Sequence, residues 1–224
     1  MPQSGITELR SIVTRFRMSI SGIARPADQQ KRIRLIQVLS MLAAGILLFA
    51  RPGWDQNSSA HEFIEMAGLA LVLACIFGRL WSILYIGGRK NSELVTVGPY
   101  SMTRNPLYLS SLVGTIGIGL MFGSVLLALL LGTIAYVVFA RTALREETYL
   151  RSAFGPAYDD YAARTPLFWP NPSLYREPTM VSFPPKALRR TFVDAMYFLM
   201  VFPLMEGLEY LQTSGYLPAA FHVY

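Results

Sequence analysis

Two short stretches of this sequence concentrate side chains able to hold a charged ligand. The first runs from Gly98 to Tyr108 and contains Tyr100, Arg104, Asn105, Pro106 and Tyr108. A guanidinium such as that of Arg104 grips a carboxylate through two parallel hydrogen bonds, and the rings of Tyr100 and Tyr108 attract a cation or stack on a flat base. Gly98-Pro99 and Asn105-Pro106 each mark a turn. Pro106 suits the first position of a helix, where its missing N–H does no harm, and the N–H groups beyond Asn105 then turn positive potential toward a carboxylate or hydroxyl. The second stretch carries Glu146 and Glu147, adjacent carboxylates in the later turns of a predicted helix, where the dipole disfavours negative charge. Glu147 and Arg151, four residues apart, form a pair that offsets this. By spacing alone, turn chemistry for the first stretch and a solvated helix surface for the second remain open readings.

Other chemistries have less support. Cys75 is the single cysteine and His61 and His222 are the only histidines, so neither an internal disulfide nor a metal-ligand cluster at the usual spacing is expected. Gly114, Gly117 and Gly119 lack both the preceding strand and the spacing of a dinucleotide loop, and they read as a surface for close helix packing. The net charge is +6, but the basic residues flank apolar segments without interleaved aromatics, which points to anionic lipid head groups and away from nucleic acid.

The elements that must position these residues lie in a membrane. The chain is 53% hydrophobic and 15% charged, more apolar than a soluble domain, whose share is roughly 45–50%. Ile6, Leu9, Val13, Phe16 and Ile20 recur at helical spacing among arginines, which predicts a basic amphipathic helix lying on the membrane surface, with a targeting arm as the second reading. No cleavable secretory signal is expected. A first span is expected from Leu35 to Ala50, flanked by Arg34 and Arg51, and a second from Phe63 to Ile86, in which Arg79 must face protein, water or a ligand. Pro106 to Ala140 carries no ionisable group except tyrosine, and predicts a helical hairpin turning near Phe122-Gly123-Ser124. The second arm should leave the membrane, stop at Phe154-Gly155-Pro156 and give way to a short helix through Tyr158 and Tyr161. The last apolar stretch, Phe192 to Leu211, contains Pro203, Glu206 and Glu209, and reads as a span or a partly interfacial helix. With these spans, all Lys and Arg except Arg51 and Arg79 fall on one side, which makes residues 87–106 and 141–190 cytosolic. The expectation is an all-α polytopic integral membrane bundle of about five transmembrane helices. It is divided into a basic arm (1–32), a core (33–182) and a C-terminal apolar helix and tail (183–224), with the N-terminus cytosolic.

The order RLWSILYIGGR, LVTVGPYSMTRNPLYLSS, a long apolar hairpin and REETYLRSAFGPAYDDYAARTPLFWP, spanning Arg79 to Pro170, resembles the isoprenylcysteine carboxyl methyltransferase family and the related phospholipid methyltransferases. The resemblance implies an S-adenosylmethionine-dependent methyltransferase embedded in the membrane, without a soluble nucleotide-binding sheet. The family's Arg-His-Pro-x-Tyr motif falls on Arg104, Asn105, Pro106, Leu107 and Tyr108, and its Glu-Glu-x-x-Leu motif on Glu146, Glu147 and Leu150. It implies a cytosolic cofactor site of Tyr100, Arg104, Asn105, Pro106, Tyr108, Glu146 and Glu147, with Arg104 and Glu147 catalytic. Glu147, then Glu146, would take the cofactor's ammonium or ribose hydroxyls, Arg104 the methionine carboxylate or an acceptor carboxylate, and Tyr100 and Tyr108 the adenine or sulfonium side. Asn105 departs from the family, which more often has His, and an amide cannot act as acid or base near neutral pH. Methyl transfer from a sulfonium needs in-line approach and a dry site more than a strong base, and the demand for a base depends on whether the acceptor is a carboxylate, amine or thiol. The acceptor implied is lipid-like or membrane-associated, the partners are membrane lipids, and His61 and His222 are expected solvated on the outer face. The reading from another class is a non-catalytic membrane scaffold or lipid-binding protein that keeps the fold. A small transporter would show inverted repeats, and the sequence has none.

Overall fold

Uncharged residues follow one another from Phe77 back to Met66 with no polar break, and a chain in lipid can satisfy its backbone there only as a helix. In the computed structural model, which describes residues 50–52, 59–87, 93–216 and 221–223, this stretch is helix α1, Ser59–Ile86. The amphipathic arm and, apart from Ala50 at its end, the first expected span lie outside the described residues. A four-residue helix α2, Pro99–Met102, follows. Next comes the hairpin, α3 over Pro106–Met121 and α4 over Val125–Phe154. Its turn falls at residues 122–124, as expected: Gly123 adopts φ 73°, and Ser124 caps α4 by accepting from the Leu127 N–H at 3.0 Å. Gly155, at φ 55°, ends α4 and Pro156 opens α5, Pro156–Arg164. A single 3₁₀ turn at Pro172–Leu174 leads toward α6, Pro185–Thr213, which continues through Pro203.

Three of these helices, α1, α4 and α6, are long and apolar enough to cross a bilayer, and α3 is a shorter apolar helix. The bundle is therefore helical and polytopic, with three helices of crossing length among the described residues. Outside the helices, a three-residue strand β1, Ala50–Pro52, pairs in parallel with β2, Phe221–Val223. This joins the chain just before α1 to the chain just after α6.

Small residues let the helices touch. A Cβ added to Gly68 on α1 would lie 2.7 Å from the Gly117 carbonyl on α3, and one added to Gly119 would collide with the Ala128 backbone of α4. With no hydrophobic force between helices in lipid, such close packing supplies the association. Ala195 of α6 is buried with Val72 and Ile76 of α1 and Met121 of α3. Leu126, Leu129 and Leu130 on α4 and Met200 and Leu204 on α6 point outward, faces suited to acyl chains. Arg79 faces protein as expected, its Nη1 donating to Ser111 Oγ on α3 at 2.7 Å.

His61 corrects an expectation. It is 3% exposed, with Nε2 3.2 Å from Glu65 Oε1, not solvated. Helix α1 begins at Ser59, before the expected Phe63, so His61 sits in its first turn and pairs one turn along.

Candidate functional site

The site is assembled where the hairpin's two arms end on the same side. At the start of α2, Gly98 adopts φ 61°, and a Cβ there would run into the Tyr85 ring, so glycine is required both by conformation and by space. Its N–H donates to the Arg176 carbonyl at 2.7 Å. Ser101 Oγ donates to the Gly98 carbonyl at 2.6 Å and accepts from the Arg176 N–H at 2.9 Å. Pro106 opens α3 directly after Asn105, whose side chain makes no capping bond.

Residues 166–171 lie as a strap along residues 102–105, and side chains and backbone both form its rungs. The Arg104 N–H donates to Pro166 O at 3.0 Å and the Asn171 N–H to Met102 O at 3.0 Å. Thr103 Oγ1 donates to Phe168 O at 2.9 Å, and Asn105 Nδ2 donates to Leu167 O at 2.9 Å. At its far edge the strap meets α4, where the Tyr136 ring packs edge-on to Phe168 at 5.3 Å and stacks on Trp169 at 6.1 Å.

The two motif stretches meet. Arg104 Nη1 lies 2.9 Å from Glu147 Oε1, with the two side chains 12% and 14% exposed. Arg151 Nη2 reaches the same oxygen at 2.9 Å, and its Nη1 reaches Asp159 Oδ1 on α5 at 3.1 Å. Partial burial pushes the Glu147 carboxyl up, but hydrogen bonds from Arg151 and Arg104 and their charges outweigh it and hold it below its ordinary value. Tyr100 is buried, and burial, with the nearby Tyr161, Glu146 and Tyr108, pushes its hydroxyl up, so it stays protonated. Burial also raises Tyr161, whose hydroxyl donates to the Tyr100 carbonyl at 2.7 Å. Tyr108 stacks on Phe139 of α4, ring centroids 5.5 Å apart. Glu146, half-buried, acts electrostatically on Tyr100.

Two donors in this cluster, Tyr100 O–H and Arg104 Nε–H, are buried with no acceptor among the described residues. Buried donors are normally satisfied, and these fit a ligand bearing carboxylate or hydroxyl oxygens. An open cleft of about 430 Å³ reaches Arg104 and is lined by Arg164, Pro166, Trp169 and Asn171 among others, within the roughly 300–1,000 Å³ of ligand sites. The structure thus gathers Tyr100, Arg104, Asn105, Pro106, Tyr108, Glu146 and Glu147 at one end of the hairpin. Sequence reasoning missed Thr103 and Trp169 as parts of it, and placed Tyr158 and Tyr161 on a short helix without assigning them to it. The pair's three-residue spacing on α5 was the available signal; nothing local marked the strap's rungs.

The phospholipid methyltransferase family pattern matches residues 63–157. The sequence is also 30% identical, over 59% of this chain and 68% of the relative, to protein-S-isoprenylcysteine O-methyltransferase B of Arabidopsis thaliana. The chain belongs to the isoprenylcysteine and phospholipid methyltransferase family. This is a family of integral-membrane methyltransferases, for which S-adenosylmethionine is the general methyl donor. Two further relatives of the chain carry other names. The nickel-cobalt-cadmium resistance protein NccN of Alcaligenes xylosoxydans xylosoxydans is 35% identical over 84% of this chain and 87% of its own. The cobalt-zinc-cadmium resistance protein CzcN of Cupriavidus metallidurans is 34% identical over 89% and 93%. No solved structure matches this family member.

Proposed function

We propose that this protein methylates a lipid-like or membrane-associated acceptor, with S-adenosylmethionine held on the cytosolic face between the Pro99–Tyr108 segment and the end of α4. The observation that carries the reading is the 2.9 Å contact of Arg104 with Glu147, beside two buried donors that lack acceptors. When bound, the cofactor supplies a methyl group on a sulfonium, ready for in-line attack. Arg104, clamped by Glu147, keeps Nε–H for an anionic group, and the Tyr100 hydroxyl offers a second donor. Both guanidinium contacts to Glu147 fall on Oε1, which leaves Oε2 to accept from an ammonium or ribose hydroxyl, with Glu146 beside it. Tyr108, stacked on Phe139, gives a flat apolar wall, and Pro106 keeps the start of α3 from needing a donor's partner there. Asn105 carries no titratable proton and the buried tyrosines stay protonated, so this site suits an acceptor that arrives nucleophilic, a carboxylate first. The aromatic edge of Tyr136, Phe168 and Trp169 lets an apolar tail lie against the site from the bilayer.

Calorimetric titration of the purified protein with S-adenosylmethionine, repeated on Glu147→Ala and Arg104→Ala, tests this. Wild type is expected to bind and both variants to weaken by about tenfold or more, the loss of one charge-assisted hydrogen bond. Unchanged affinity in both variants rejects the site. No binding by wild type favours the scaffold or lipid-binding reading.

The near full-length similarity to two metal-resistance proteins favours a second, physiological reading compatible with the first: the methylation serves growth under divalent transition-metal stress. Growth of a deletion strain on nickel, cobalt and cadmium is expected to be restored by wild type and not by Glu147→Gln. Equal restoration by both separates resistance from methyl transfer.

A further inference from the structure

Asn105 occupies the centre of the Arg104-Asn105-Pro106 turn, and its side chain reaches the strap, where Nδ2 donates to Leu167 O at 2.9 Å. A carbonyl can only accept, so this contact fixes which end of the amide is which. The neighbouring rungs, Thr103 Oγ1 to Phe168 O and the Arg104 N–H to Pro166 O, hold the chain on both sides of Leu167. Pro166 and Trp169 in turn line the cleft together with Arg104, and Trp169 is braced by Tyr136 of α4.

We infer that Asn105 is a positioning residue, acting on the cleft through the Leu167 carbonyl and the Trp169-bearing strap and not by its own contact with the ligand. This rests on the reading that S-adenosylmethionine is held at Arg104, which also lines the cleft. What the position requires is an N–H donor about two bonds beyond Cβ. A neutral or protonated imidazole supplies one, whereas a carboxylate supplies none and would set negative charge against the carbonyl oxygen. The place of Asn in a motif position that elsewhere carries His then follows from a shared donor geometry, with no proton transfer at this residue.

Trp169 reports on the strap independently of any ligand. In a Trp54→Phe, Trp81→Phe background, where Trp169 is the one remaining tryptophan, acrylamide quenching and S-adenosylmethionine titration are compared for Asn105, Asn105→Ala, Asn105→Asp and Asn105→His. Expected are stronger quenching and about tenfold weaker binding for Ala, a larger effect of both kinds for Asp, and restoration of both by His. Quenching unchanged in Ala and Asp overturns the inference. So does a loss of affinity without a change in quenching, because that outcome makes Asn105 a direct ligand contact, and so does a His variant that quenches like Ala. Absence of binding by the wild type would sink the cofactor reading, while the quenching series still decides the role of Asn105 in the strap.

Discussion

Glu147 is held by two guanidinium groups on one oxygen, and its charge is therefore part of the fold as well as of the site. Because the folded protein keeps this carboxyl below its ordinary value of 4.5, the stabilisation it brings is complete above that pH and is lost as the pH falls through the lower folded value. Glu147→Gln is expected to lower stability near neutral pH by about 1–3 kcal/mol, the range for a hydrogen bond to a charged group, and to flatten the decline of the unfolding midpoint on acidification. Thermal unfolding in detergent between pH 7 and pH 3 measures both, and a variant whose curve parallels wild type would contradict the assignment. Tyr161→Phe removes the donor to the buried Tyr100 carbonyl and is expected to cost about 1–2 kcal/mol in the same assay. At this scale the meeting of Arg104 with Glu147 was legible, since a basic turn and an acidic helix end flanking one hairpin must come together if the hairpin closes. The burial of His61 was not, because a polar start to a helix looks the same in sequence whether it meets water or a neighbouring turn. The hydrogen bond from Asn105 to Leu167, 62 residues on, was equally invisible: a side chain bonding a carbonyl far along the chain leaves no periodic trace.

The helices are positioned by their smallest residues. Gly68 meets the α3 backbone and Gly119 the α4 backbone, and in both cases the obstructing atoms are main chain that cannot rotate away. Gly68→Ala and Gly119→Ala are each expected to lower stability by about 1–3 kcal/mol through overpacking, seen as a fall in thermal midpoint. Gly207→Ala, where the added Cβ meets nothing within 4 Å, is the control and should leave the midpoint unchanged or raise it slightly. A Gly119→Ala protein as stable as wild type would mean that α3 and α4 are further apart than described. The hairpin and its turn were legible because a long uncharged run has few alternatives in a bilayer, and the stops at Gly155-Pro156 and Asn105-Pro106 follow from backbone chemistry alone. The strap at residues 166–171 was read only as a return to the interface. Its aromatic residues announce that location, while its rungs depend on tertiary placement.

For the molecule as a whole, α1 and α4 run one way and α3 and α6 the other, so Ser59 and Ser152, both exposed, lie at opposite ends of the bundle. Ser59→Cys is expected to react with an impermeant maleimide on intact cells and Ser152→Cys only after permeabilisation, with the native Cys75 buried and silent. The reverse pattern would invert the topology that the arginine distribution suggests. The turn at Phe122-Gly123-Ser124 sets where the register of α4 begins. It lies a helix-length from Arg104, about 24 Å for the 16 residues of α3, on the side of the bilayer away from the cleft. Loops so placed ordinarily absorb an extra residue without effect. Inside α4, between that turn and Glu147, one inserted residue would instead rotate the helix end by about 100° and slide it about 1.5 Å, and Glu147 would swing off its partner like a key cut one notch out of step.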